Sequence, residues 1–264
     1  MNISDILNSP ATNKAVNTKS KTATQETANL SPLQQVIKQT HSKIQAEVDT
    51  TTTQLSSFGR LKSALSNTQL AANALGSLSG TASSADIKKA VQNFVSAFNT
   101  SMDSAKTTAT APGSAGASHS ANQAGRDLGR AISSDFRTQD ALKKLGISMD
   151  SKGVLSIDNK KFEAEQKADP AGALATLGKI GRQVEKTAIQ ELAVDGHVNG
   201  FMNSLNVRAS QLKMQQSSLT SLTQANKATT ANTATDNSPY TWSRGYGASA
   251  YQNSANTTKN SWNA

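Results

Sequence analysis

Cysteine is absent from the chain. Disulfides, thiolate-built zinc fingers and thiol catalysis are therefore excluded, and the redox compartment cannot be inferred from pairing. Aromatic residues make up only 4% and hydrophobic residues 36% of the 264 positions. That composition limits core thickness and favours a rod of packed helices over a compact enzyme fold. The mean hydropathy of -0.48 fits a soluble chain with loose segments. No stretch approaches the roughly 20 apolar residues of a membrane span. Met1 to Pro10 lacks the basic and apolar segments of a Sec signal. Residence in the cytoplasm, or export by another route, is expected.

Acidic residues are also scarce, 18 against 27 Lys and Arg, for a net charge of +9. An anionic partner is the first thought for such a chain. The adjacent basic pairs, Lys88-Lys89, Lys143-Lys144 and Lys160-Lys161, are each followed by an apolar periodic residue, as on the wet face of a helix. We therefore expect neither a nucleic-acid nor a membrane partner.

What is present is helical periodicity. Ser31-Pro32 has the form of an N-cap followed by proline at the first helical position. From there Ile37, Ile44, Thr51, Phe58, Leu65 and Ala72 recur every seven residues, with Leu33, Val48, Leu55, Leu61 and Leu75 beside them. Gly76 and Gly80 end this helix. A second helix, from about Ser84, carries Ile87, Val91, Phe94, Phe98 and Met102. The Thr, Ala, Gly and Ser composition of residues 107–120, with Pro112-Gly113, reads as a loop. A third helix, about Asn122 to Leu145, presents Leu128, Ile132, Phe136 and Leu142, with a break near Thr138 to Asp140, and stops at Gly146.

Ile147 to Met149 and Val154 to Ile157 flank a turn at Asp150-Ser151-Lys152-Gly153 and read as a β-hairpin. Asp158 and Asp169-Pro170 start the helices that follow. From Lys179 a long pattern runs through Ile180, Val184, Ile189 and Leu192, breaks near Asp195-Gly196, and continues through Val198, Leu205, Leu212 and Leu219.

The expected fold is mainly α: a long antiparallel helical coiled coil with a small helical subdomain, one β-hairpin and disordered termini. Its parts are a disordered arm over 1–30, a first coil helix over 31–78, and a subdomain over 84–178 with its hairpin at 146–158. A second coil segment over 179–225 and a disordered tail over 226–264 complete it. The tail holds Trp242 and Trp262 and all three tyrosines, Tyr240, Tyr246 and Tyr251. Such aromatics suit a segment that orders on a partner.

Little in the sequence points to chemistry. His41, His119 and His197 have no carboxylate or second histidine at ligand spacing in the sequence and read as surface residues. The turn from Asp150 has part of a calcium loop, but Lys152 stands where a ligand is needed, so it reads as structural. No Gly-x-Ser-x-Gly elbow or Walker loop occurs, and Gly125-Arg126-Asp127-Leu128-Gly129 lies within a helical pattern with no preceding strand. Glu163 and Glu165, two apart, point to different sides of a helix. No catalytic residue, metal site or cofactor is expected.

Three segments resemble the flagellar hook-associated protein 2 family, which caps the distal end of the bacterial flagellar filament. Ala90 to Asn99, ending Phe94-Val95-Ser96-Ala97-Phe98-Asn99, resembles the family's helix ending in Phe-Val-x-Ala-Tyr-Asn, with Phe98 for Tyr. Leu145-Gly146-Ile147 through Asp150, Gly153-Val154-Leu155 and Asp158 is similar to its hairpin, followed by Phe162 and Asp169-Pro170. Leu55 to Leu65 is similar to its first coil. In the family, β-rich plate domains lie between the first coil and the Phe-Val helix, whereas here only Gly76 to Ala85 joins them, and the family's Ser-Gly-Leu-Asp opening is not recognisable in residues 1–30.

The resemblance implies a structural, extracellular flagellar component exported by the flagellar type III pathway. It also implies a homo-oligomer that engages flagellin and hook-associated proteins, with an export chaperone as a further partner. Ile37, Ile44, Val48, Leu55, Phe58, Leu65, Val198, Leu205, Leu212 and Leu219 would form the assembly stripe. Phe94, Phe98, Asn99, Leu145, Gly146, Ile147, Asp150, Gly153, Leu155 and Asp158 would form the structural motif. The alternative is a secreted adhesin, a cell-adhesion module acting through the aromatic tail.

Overall fold

The computed structural model describes residues 32–235. The 1–30 arm and the tryptophans and tyrosines of the tail lie outside them. The described residues form seven helices and one two-stranded antiparallel sheet. In order these are α1 (Pro32–Gly76), α2 (Ser84–Thr110), α3 (Ala115–Ser133), α4 (Phe136–Lys144), β1 (Ile147–Met149), β2 (Leu155–Ile157), α5 (Asn159–Ala168), α6 (Pro170–Leu192) and α7 (His197–Thr235). No described helix is long and apolar enough to cross a membrane.

The chain divides into two compact units. Of the first, the described residues are 32–41 and 218–235, all helical; Ile37 and Leu219 are half-buried there, and Leu33 and Leu222 are exposed. The second unit, Ser42–Ser217, holds the core.

Within the second unit α1 is the spine. Thr68 Oγ1 lies 2.8 Å from Ser101 Oγ, and Thr108 Oγ1 donates to the Ser57 carbonyl at 3.2 Å, so α2 returns antiparallel along α1. Asn73 Nδ2 donates to Glu185 Oε1 at 2.7 Å and Lys62 Nζ to Asn199 Oδ1 at 3.0 Å. Phe58 and Phe201 rings stand 4.9 Å apart, and Arg208 pairs with Glu47. Rising numbers on α6 and α7 thus meet falling numbers on α1. The antiparallel coil is present, and its second strand is two helices joined by a turn at residues 193–196.

Small side chains set how closely these helices approach. Ala64, Ala72, Ala105, Ala121, Ala124, Ala173 and Ala188 are buried. Between them sit the fully buried Phe58, Phe98 and Phe162 with Leu61, Leu65, Leu75, Leu128 and Leu177. Each such side chain contributes roughly 1.5–3 kcal/mol by leaving water. α6 meets the end of α1 closely at Gly181, where an added Cβ would stand 2.5 Å from the Gly76 nitrogen and 2.6 Å from the Ala72 carbonyl oxygen.

Several boundaries differ from those expected. The loop expected over residues 107–120 is confined to residues 111–114, around Pro112-Gly113: α2 runs to Thr110 and α3 begins at Ala115. Alanine is a strong helix former, and Thr110 Oγ1 bonds back to the Lys106 carbonyl at 3.1 Å, so the polar composition is compatible with helix. The break expected near Thr138 falls at Ser134-Asp135, where Asp135 caps α4. Phe136 and Ile189, expected on buried faces, are exposed, at 71% and 47%. The start expected at Lys179 lies inside α6, which Asp169 caps by accepting from Gly172 N at 2.9 Å. The tail expected from 226 is helical to Thr235.

Asp135 also accepts from Thr138 Oγ1 at 2.7 Å and from Lys179 Nζ at 2.5 Å, tying α4 to α6. The Lys179 contact, more than any other, holds its carboxyl below the usual carboxylate range. A carboxyl that titrates lower when folded contributes stability above about pH 4, which is lost as pH falls toward the folded value.

Gly181→Ala should lower stability by roughly 1–3 kcal/mol through backbone overlap. Gly59→Ala, where an added Cβ meets nothing within 4 Å, should raise it by roughly 0.5–1 kcal/mol in urea unfolding. Asp135→Asn should flatten the fall in urea midpoint between about pH 6 and pH 3 relative to the parent protein.

Candidate functional site

The family-like residues converge on one feature, a hairpin clamped between helices. Leu145 ends α4, and Gly146 follows at φ 74°, donating its N–H to the Lys143 carbonyl at 3.1 Å. An added Cβ at Gly146 would lie 2.9 Å from the Asp158 carbonyl oxygen, so both conformation and space demand glycine. Pairing runs Ile147 with Ile157, Ser148 with Ser156 and Met149 with Leu155. At the turn, Asp150 Oδ1 accepts from Lys152 N at 2.8 Å and Val154 N at 2.9 Å, and Gly153 closes it at φ 80°. Asp158 Oδ1 accepts from Lys160 N at 3.0 Å and Lys161 N at 3.1 Å and so starts α5. Both aspartates therefore hold backbone amides, which accounts for their spacing without a cation.

Asn99 completes the clamp. Asp150 with Val154, Ser148 with Ser156 and Gly146 with Asp158 are the bonded registers of the ladder, so the N–H and carbonyl of Leu155 point away from β1. Asn99 Nδ2 donates to the Leu155 carbonyl at 2.8 Å, and Asn99 Oδ1 accepts from Leu155 N at 2.8 Å. One side chain on α2 closes the open edge of a two-stranded sheet that is too small to stand alone. Beneath it Ile147, Leu155, Leu142, Leu145 and Phe162 join Phe94 and Phe98, whose rings are 6.1 Å apart, in the core. Lys88 Nζ to Glu163 Oε1 at 2.5 Å fixes α5 beside α2.

The stripe residues divide between the two units. Within Ser42–Ser217, Ile44, Phe58, Leu65, Val198, Leu205 and Leu212 are buried and Val48 and Leu55 half-buried. In that unit they close the coil inside a single chain. The exposed apolar residues there are others, Leu70, Val194 and Val207 among them. Nothing in the seven-residue repeat marks these, since they fall off the stripe.

The histidines require one correction. His41, His119 and His197 are all exposed, as expected. His197 is not isolated: its Nδ1 lies 3.0 Å from Glu191 Oε1 and 3.8 Å from Asp127 Oδ2. Glu191 is six residues earlier across a turn and Asp127 comes from α3, so no sequence spacing could reveal the group.

Asn99→Ala should strand both Leu155 backbone groups and cost roughly 2–4 kcal/mol, while Asn99→Asp, which keeps only the acceptor, should fall between. Urea unfolding and the amide-exchange rate of Leu155 check both.

Residues 77–241, more than half of the chain, match the family described as flagellar hook-associated protein 2 C-terminus. Comparison with curated proteins and with solved structures gives no match.

Proposed function

This chain belongs to the flagellar hook-associated protein 2 family, and we propose that it acts at the filament tip as a reduced cap component that assists flagellin assembly. The observation that carries the reading is the clamped hairpin, Asn99 on Leu155, which lies within the family-matched region. In this reading the protein is structural and binds no cofactor. Several copies associate, and the flagellar type III pathway exports it.

The bend set between the helices by the hairpin, Leu145 to Asp158, positions the coil. The stripe from Ile44 to Leu65 on α1, with Val198, Leu205 and Leu212 on α7, stiffens it. Ile37 and Leu219, on the described part of the other unit, supply apolar surface for neighbouring subunits. Docking there would offset the entropy of ordering loose ends. Residues 77–83 are all that joins α1 to α2, so no plate-like domain lies between these two helices. The adhesin alternative rests on tail aromatics outside the described residues, and no structural observation favours it.

A deletion strain should make short or no filaments, release flagellin into the medium, and recover with the full-length gene. A version lacking residues 146–158 should express solubly, fail to reach filament tips and fail to restore swimming. Normal filament growth in the deletion strain would sink the cap reading.

A further inference from the structure

We propose that Asp127, Glu191 and His197 form a binding site for a divalent transition ion of the zinc class, at the turn between α6 and α7. The three side chains come from α3, the end of α6 and the start of α7, and one ligand atom from each lies within 4.8 Å of the other two. One imidazole nitrogen with two carboxylate oxygens is a donor set suited to zinc and its neighbours.

The spacing fits. Metal–ligand bonds of about 2.0–2.2 Å place tetrahedral ligand atoms roughly 3.3 Å apart. The two His197 Nδ1 separations, 3.0 Å to Glu191 Oε1 and 3.8 Å to Asp127 Oδ2, bracket that value. The Asp127 and Glu191 oxygens lie within 4.8 Å of one another, so the two carboxylates close by up to about 1.5 Å when one ion takes all three ligands.

The surroundings support a cation as well. Glu191 is 3% exposed on the unit's inner side, a costly place for a carboxylate. Burial is the largest cause of its raised pKa, His197 opposes the rise, and the adjacent Asp127 carboxylate adds to it. A dication between the two carboxylates relieves both burdens. Asp127 is oriented from outside the group by Arg130 Nη1 at 3.2 Å on Oδ1 and by Gln123 Nε2 at 3.2 Å. Such outer contacts are the ones that aim a ligand. A cavity of about 530 Å³, lined also by Thr187, Gln190 and Asp195, opens beside the group and admits the waters that fill the remaining positions.

Bound there, the ion would stitch α3 to both helices of the coil's second strand and fix the angle at its interruption. The proposal does not depend on the cap reading, because the ligands lie within one unit and the test needs only purified protein.

The test is calorimetric titration of Zn2+ into chelator-treated full-length protein near neutral pH, with Co2+ absorption as a spectroscopic probe. One ion per chain is expected, with a visible Co2+ ligand-field band and a raised Tm. Affinity should fall as pH drops, since protons compete with the ion for its ligands. His197→Ala and Asp127→Asn should each weaken binding at least about tenfold, judging by the cost of losing even an outer-shell contact. His119→Ala should leave it unchanged. If the His197 variant does not fold, Asp127→Asn, altered at a partly exposed side chain, decides alone. Binding by the parent protein no tighter than millimolar, or equal binding by the folded variants, would overturn the site and leave only a His197–Glu191 hydrogen bond.

Discussion

A helix as long as α1 buries nothing by itself, and its stability comes from what later helices lay against it. In the Ser42–Ser217 unit α2, α6 and α7 supply that cover. They approach closely because alanines and Gly181 line the seams. With few aromatics to fill gaps, close backbone approach is how this composition reaches the density a core requires. The six phenylalanines are used sparingly: Phe58, Phe98 and Phe162 are fully buried, each anchoring a different part of the core, on the spine, on α2 and under the hairpin.

The hairpin depends on that arrangement. Two strands of three residues cannot persist in water unaided. Asn99 is presented at the right height because α2 is pinned to α1 by the buried Thr68–Ser101 contact and by its own phenylalanines. Asp150 and Asp158 shape the turn and the following helix locally, while Asn99 connects that local geometry to the bundle. A polar residue within an apolar helical pattern thereby becomes the link between family-like sequence and tertiary structure.

Features governed by neighbours in sequence were legible beforehand. The stop at Gly76, the hairpin with Gly153, the caps Asp158 and Asp169 with Pro170, and the interruption at Asp195-Gly196 all follow from local chemistry. The heptad stripe marked the two segments of the coil. The extent of α2 and α3 was hidden because threonine and serine suggest loop, yet alanine sustains helix in the same residues and the hydroxyls are accommodated by bonding back to the preceding turn. Phe136 and Ile189 read as core because periodicity reports a face and not what covers it. The Asp127, Glu191 and His197 group was illegible, as two separate turns of chain must fold before those atoms meet.

The short connection over residues 77–83 has a consequence of its own. Its ends belong to antiparallel neighbours, and Ser77, Ser79, Gly80 and Thr81 are exposed while only Leu78 and Ala82 touch the core. Lengthening such a loop costs little more than the logarithm of its length. The scaffold is thus modular at this point: whole domains could be gained or shed there without disturbing a buried side chain of the bundle. A lineage could therefore change what the bundle displays while keeping the bundle.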